Sequence, residues 1–292
     1  MNKHMFDLCS SIIEKALKLG ADGCKARLSK QRSVDIKYRE GKPEIVKEAS
    51  TQNLVVNLFV NGKYSSQSTP DIRINALDGF LQQAIQNTQY IEHDPYRYLP
   101  PRELVGNFLE KDLKLFDPGV YDYSIEKKHQ NAKIVEEICK EKAGEYLVSV
   151  ETGTSDTEWE EAVVASNGLN GYSKSTDFWI GGSMTVNDEG DRKPTGSFWA
   201  GCRYINDIPS LREIGEKITA RAIELRGGKK ITTGTFTVIV ENRVVSSILN
   251  GLINALYGSN IQQKRSFLAD KKGKPSEANC LRSPMIRLLK KD

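Results

Sequence analysis

The apolar residues of this chain change their period several times along its length. Between residues 4 and 19, Phe6, Cys9, Ile13, Ala16 and Leu17 recur at helical spacing, and Gly20 supplies a stop. The period then drops to two. Val34, Ile36 and Tyr38 alternate with polar residues, 45–49 suggests a second strand, and 53–60 is apolar enough to be a central one. Asn61-Gly62 predicts a two-residue hairpin turn, with residues 63–68 returning. Thr69 and Pro70 predict a helix opening there, Thr69 as N-cap and Pro70 at the first helical position. Ile74, Leu77, Leu81, Ala84 and Ile85 are its apolar face.

Residues 92–123 break this rhythm with Asp94-Pro95, Pro100-Pro101 and Asp117-Pro118-Gly119, interspersed with tyrosines. They read as a connector packed along the domain. Ser124 then precedes a helix over 125–142, followed by strands at 146–152, 158–165, 171–180, 183–187 and 197–204, with Ser166-Asn167-Gly168 as a turn. A helix over 209–225 ends at Gly227-Gly228. Helix and then antiparallel sheet thus occurs twice, which suggests an internal duplication. Beyond it, 234–241 reads as a strand and 243–257 as a helix with Ile248, Leu252, Ile253 and Leu256 inward. The expected architecture is α+β: two related helix-plus-antiparallel-sheet units, then the start of an incomplete β-rich C-terminal domain. The expected division is 1–91, a connector 92–123, a central domain 124–228, 229–274, and an atypical tail 275–292 without clean periodicity.

Several pieces in this order resemble the TldD/PmbA family, whose bacterial members are also called modulators of DNA gyrase. They are the helix ending in Gly20-Ala21-Asp22, the strand ending in Asn61-Gly62-Lys63, the Ser/Thr-rich return strand, the helix rich in alanine and leucine, and the later strand and helix at 234–257. The resemblance covers roughly residues 1–274 and implies two kinds of subunit. The TldD kind carries His-Glu-x-x-x-His on the corresponding helix and is a metalloprotease; the TldE (PmbA) kind lacks it. Aligning on Leu256 and Gly258 puts Leu249 and Asn254 at the histidine positions and Asn250 at the glutamate. Zinc in a hydrolase needs about three His, Cys or carboxylate ligands and an open position for water. Leucine offers no donor, and a neutral amide is a poor one. The expectation is no catalytic, cofactor-binding or metal-ligating residue in this chain, with zinc only in a TldD-type partner.

Other chemistry is thin. His4, His93 and His129 have no second His or Cys at ligand spacing. The five cysteines, 9, 24, 139, 202 and 280, are scattered without C-x-x-C and read as reduced thiols, most of them buried. Cys202 is a conceivable nucleophile for an independent hydrolase, though it sits on an apparent strand. The acids of Asp188-Glu189-Gly190-Asp191 lack the spacing of a calcium loop and read as a hairpin tip. Glu158 and Glu160 fall on one strand face and read as solvated.

The net charge of +4 comes from the end of the chain: residues 260–292 hold nine Lys/Arg against three Asp/Glu, leaving the preceding 259 at about −2. A basic tail is no DNA-binding face, so no nucleic-acid partner is expected. No apolar run approaches a membrane span and no secretory leader is evident, which makes the cytoplasm the expected compartment. The resemblance implies a TldD-like metalloprotease partner, or a second copy of this chain, and a peptide or unfolded-protein substrate. The alternative is a non-enzymatic modulator acting on gyrase- or toxin–antitoxin-related partners. Because the family continues through a longer β-rich region, a truncated product is expected.

Overall fold

The computed structural model describes residues 3–108, 113–271, 273 and 274. The described residues divide into two compact units, one ending at Gly228 and the other beginning at Lys229. The atypical tail expected at 275–292 lies outside the described residues.

The first unit is built on two long hairpins, each introduced by a helix. Helix α1 (Lys3–Lys18) leads into β1 (Gly23–Arg39), β2 (Lys42–Val60), the short β3 (Lys63–Thr69) and α2 (Ile74–Gln89). After a connector containing β4 (Asn107–Phe108), α3 (Ile125–Ala143) leads into β5 (Leu147–Ala165), β6 (Asn170–Val186), β7 (Thr195–Cys202) and α4 (Leu211–Glu224). The hairpins join through an antiparallel β1–β5 pair running from Lys25↔Ala165 to Arg39↔Glu151, centred on Arg32↔Glu158. The result is one seven-stranded sheet, β3-β2-β1-β5-β6, with β4 and β7 both on the far edge of β6. The duplicated element order is present, but the two halves share this sheet, which crosses the division expected at 92–123.

The expected strand breaks near 153–157 and at 181–182 are corrected: β5 and β6 run through both. At Gly181 a Cβ would lie 2.3 Å from the Phe198 carbonyl oxygen and 2.9 Å from the Trp199 indole. The glycine therefore serves close approach of β7, and marks no turn. Helix α2 also begins later than expected, with Arg73 at its N-cap and no side-chain cap. Thr69 and Asp71 instead accept from the backbone N–H groups two residues on, at 3.1 Å each, a local alternative to capping. Ser124 does cap α3, accepting from the Lys127 N–H at 3.3 Å.

One face of the sheet is covered by helices. Cys24, Ala26, Leu28, Val34 and Ile36 of β1 share a parity and are buried. The first three pack with α1 and α2 in one core, which also holds Leu54, Val56 and Leu58 of β2. A second core, beneath α3 and α4, joins Val135, Cys139, Ile180, Met184, Ile214 and Ile218. Between the two, the middle of the sheet carries polar side chains on this same face.

The second unit contains α5 (Asn242–Leu256) and α6 (Gly258–Gln262), with no strand among its described residues. The strand expected at 234–241 is therefore corrected. An alternating pattern becomes a strand only where a neighbouring strand takes its ladder hydrogen bonds, and the described residues of this unit provide none. The inward face expected for 243–257 is corrected too. Ile248, Ile253 and Leu256 are 63%, 45% and 59% exposed, and Leu252 is half-buried. The buried point is Ala255, whose carbonyl accepts from the Ser266 hydroxyl at 2.6 Å.

Candidate functional site

A polar cleft of about 460 Å³ lies on the helix-covered face of the sheet, lined by β1, β2 and β5. Strand register explains its composition. Two cross-strand rows meet there, Gln52–Lys30–Glu160–Lys174 and Ser50–Arg32–Glu158–Thr176. All eight positions have the parity of the neighbouring core residues, so the cleft is where the sheet's inner face turns polar and the cores stop.

Its charges are mostly matched. The Lys174 ammonium lies 2.8 Å from Glu158 and donates to the Tyr121 hydroxyl at 2.8 Å. Tyr121 in turn donates to Glu158 at 3.0 Å, and the Tyr172 hydroxyl donates to Glu160 at 2.6 Å. Burial pulls the Lys174 ammonium down, but Glu158 and Tyr121 outweigh it and hold it above the usual lysine range. Arg32 reaches Glu48 at 2.8 Å. Lys30 stands directly opposite Glu160 in the β1–β5 register.

Behind Arg32 is a buried pair. Asp156 is fully buried, Lys128 nearly so, and their charged atoms are 2.6 Å apart. Neither Asp156 oxygen has a hydrogen bond of good geometry, so the Lys128 contact is an ion pair off the hydrogen-bonding direction. The nearest Arg32 nitrogen is 3.9 Å from Asp156. Burial pushes the Asp156 carboxyl above its usual range, against the pull of Lys128 and Arg32.

Sequence reasoning missed this cleft. It placed Glu158 and Glu160 on one face correctly, but the solvated reading is corrected: both are half-buried and tied to tyrosines. Their partners come from elsewhere in the chain, and only the β1–β5 register brings Lys30 and Arg32 beside them. The available signal was the matching polar break in two otherwise apolar-alternating strands.

The positions singled out on α5 do not converge on a site. Leu249 is half-buried, and Asn250 and Asn254 are exposed. Their donor set, one hydrocarbon and two neutral amides, does not fit zinc. Among the described residues, no three His, Cys, Asp or Glu side chains come together as a metal would require. His4 is exposed on α1, His93 is exposed beside the β2–β3 turn, and His129 is half-buried on α3.

Cys202 is a poor nucleophile here. Its thiol donates to the Tyr204 carbonyl at 2.8 Å, and burial followed by the charge of Asp207 pushes it up to about 11. Asp188 accepts from the Gly227 N–H at 3.0 Å and pairs with Arg192 at 3.2 Å, so the hairpin acids hold the end of the unit together. The connector is a strap. Leu99 packs over Gly23, Arg97 lies 4.9 Å from the Tyr64 ring centre, and Asn167 donates to the Pro100 carbonyl at 2.8 Å. No helix among the described residues is long and apolar enough to cross a membrane.

Comparison with known proteins gives one consistent family. Residues 24–88 match domain 1 of the PmbA/TldA metallopeptidases, 119–226 the central domain, and 233–281 the C-terminal domain. The metalloprotease PmbA of Escherichia coli O157:H7 is 25% identical over 267 residues, 90% of this chain and 58% of that protein. A PmbA homologue of Buchnera aphidicola is 23% identical over 82% of this chain and 53% of its own length. The chain thus spans little more than half of these curated relatives. A crystal structure from Bacteroides thetaiotaomicron, of a protein named for modulation of DNA gyrase, superposes with a TM-score of 0.82 at 30% identity over 91% of this chain and 60% of that one. TldE from Thermococcus kodakarensis superposes at 0.70 with 13% identity over 90% and 58%, a likeness of fold.

Proposed function

Because the chain belongs to the PmbA/TldD family of metallopeptidases, we propose that it is a metal-free, non-catalytic subunit of a TldD/TldE-type metalloprotease. In this reading it helps enclose the space in which a peptide or unfolded segment reaches a partner's zinc, and restricts what enters. The single observation carrying the proposal is chemical. Leu249, Asn250 and Asn254 stand on α5, within the segment matched to the C-terminal metallopeptidase domain, where the family resemblance places His-Glu-x-x-x-His. Without ligands or a general base, α5 has no means of activating water. Its exposed apolar residues and the uncovered 234–240 segment support a role in an assembly.

The test is co-expression with a subunit bearing the intact motif from the same cell. Peptide cleavage is then measured for each protein alone and for the pair. The expected outcome is a stable complex whose rate or length selectivity differs from that of the motif-bearing subunit. No complex, with partner activity unaltered, overturns the proposal; capture of gyrase- or toxin–antitoxin-related proteins without any protease subunit favours the binding-protein alternative.

A further inference from the structure

The connector strap leaves a pocket between itself and the sheet that the proposed function does not use. Lys25 and Phe59 alternate with buried Cys24, Ala26, Leu58 and Val60, so they point away from the helices, onto the other face of the sheet. The strap crosses this face between two anchors. His93 bridges to Lys63 at one end, and Asn107-Phe108 of β4 pairs with Asn170-Gly171 of β6 at the other. Beneath it lies a pocket of about 300 Å³, with Lys25, Asn57 and Phe59 on the sheet side and Tyr96, Arg97 and Tyr98 on the strap side. Tyr64 of β3 adds a fourth ring.

The charge of this pocket is one-sided. No carboxylate stands among the described residues that line it. Lys25 is half-buried, and the strand register sets it between two neutral residues, Asn57 on β2 and Ala165 on β5. Arg97 has Asp94 at 3.7 Å and lies over the Tyr64 ring. Two cations therefore face one acid outside the lining, and the surplus is a partly desolvated ammonium. Withdrawing a charge from water without a partner is costly, so the position favours an incoming anion.

We propose that this pocket binds a small aromatic carboxylate, its charge on the Lys25 ammonium and its ring against Phe59, Tyr64, Tyr96 and Tyr98. Three features select this class. The volume is at the small end of the range for small-molecule sites, which suits one ring and its acid. Four aromatic rings could also cage a cation, but Lys25 and Arg97 in the same lining repel one. A multiply charged phosphate would find one cation without an acid of its own, whereas a single carboxylate needs no more than that. The strap tyrosines, Tyr96 and Tyr98, are 71% and 70% exposed, so a bound ring covers aromatic surface that the fold leaves bare.

The aromatic acid has two sources, a free small molecule or the last residue of a peptide, and the experiment separates them. The full chain is titrated by calorimetry with phenylacetate, with phenylacetamide, with acetate and with N-acetylphenylalanine. Phenylacetate or N-acetylphenylalanine is expected to bind at least ten-fold more tightly than both phenylacetamide and acetate, and the tighter of the two identifies the source. Lys25→Met keeps the apolar stem and removes the charge. It is expected to lower that affinity ten-fold or more with the melting temperature unchanged. Tyr98→Ala, on the exposed strap, is expected to weaken binding several-fold, and gives a second reading that does not depend on the sheet tolerating a change. Equal binding of the acid and the amide, no saturable binding of either aromatic acid, unchanged affinity in both variants, or preference for inorganic phosphate overturns the proposal. Ligand binding is read on this chain alone and complex formation on the pair, so failure of one leaves the other standing.

Discussion

Residues before and after Gly228 carry similar hydrophobic patterning and meet different fates. In the first unit, alternation in β1 and helical spacing in α1 both end in burial: Leu28, Ile36 and Ile12 are at most 1% exposed. In the second, Ile239 is 95% exposed and Ile248 63%. The local codes are equally good. The difference lies in whether a facing surface exists among the described residues. β1 is flanked by β2 and β5 and covered by α1 and α3, whereas the pattern at 234–240 has no neighbouring strand. Periodicity states which face must be buried and leaves open what buries it.

The contrast can be broken by substitution. The largest effect is expected at the buried ion pair. Lys128→Met strips Asp156 of its nearest cation in the interior, and a loss of about 3–5 kcal/mol is expected in denaturant unfolding. Next comes a matched pair of truncations. Leu28→Ala is expected to cost about 2–5 kcal/mol, while Ile248→Ala, already exposed, should stay within about 0.5 kcal/mol in the isolated chain. If Ile248→Ala proves as damaging as Leu28→Ala, the second unit buries its apolar face after all.

A smaller and more local effect concerns the thiols. Burial pushes Cys9 up to about 11 and Cys24 to about 12. Between pH 9 and those values the unfolded thiols have ionised and the folded ones have not, so the folded state binds more protons. Stability contributed by these groups is therefore complete below pH 9 and falls as pH rises through 11 and 12. Alkylation at pH 8 is expected to be slow at both until denaturant is added, as mass spectrometry of the modified peptides would show; rapid labelling in the native state would contradict their burial.

Much of the first unit was legible in the sequence because its signals are local. Asn61-Gly62 predicts a tight turn, and both residues have positive φ, 50° and 70°. The helix expected to follow Ser124 is α3, Ile125–Ala143. The illegible parts are those decided by distant residues. The helix start at Thr69 failed because short polar side chains satisfied the backbone in a turn. The break at Gly181-Gly182 failed because those glycines accommodate β7 packing on β6, which no local window contains. The cleft was hidden for the same reason: Lys30 and Glu160 are adjacent only through the β1–β5 register. On α5 the order was reversed. The side chains at 249, 250 and 254 were readable at once, while the exposure of the helix was not.

That helix also carries the account's central claim, that this chain supplies no metal chemistry of its own. The direct measurement is zinc content of the purified chain after exchange into excess zinc and desalting, paired with a proteolysis assay with and without chelator. The account expects zinc well below one atom per chain and no chelator-sensitive cleavage. One tightly held zinc per chain, with cleavage that a chelator abolishes, would contradict it.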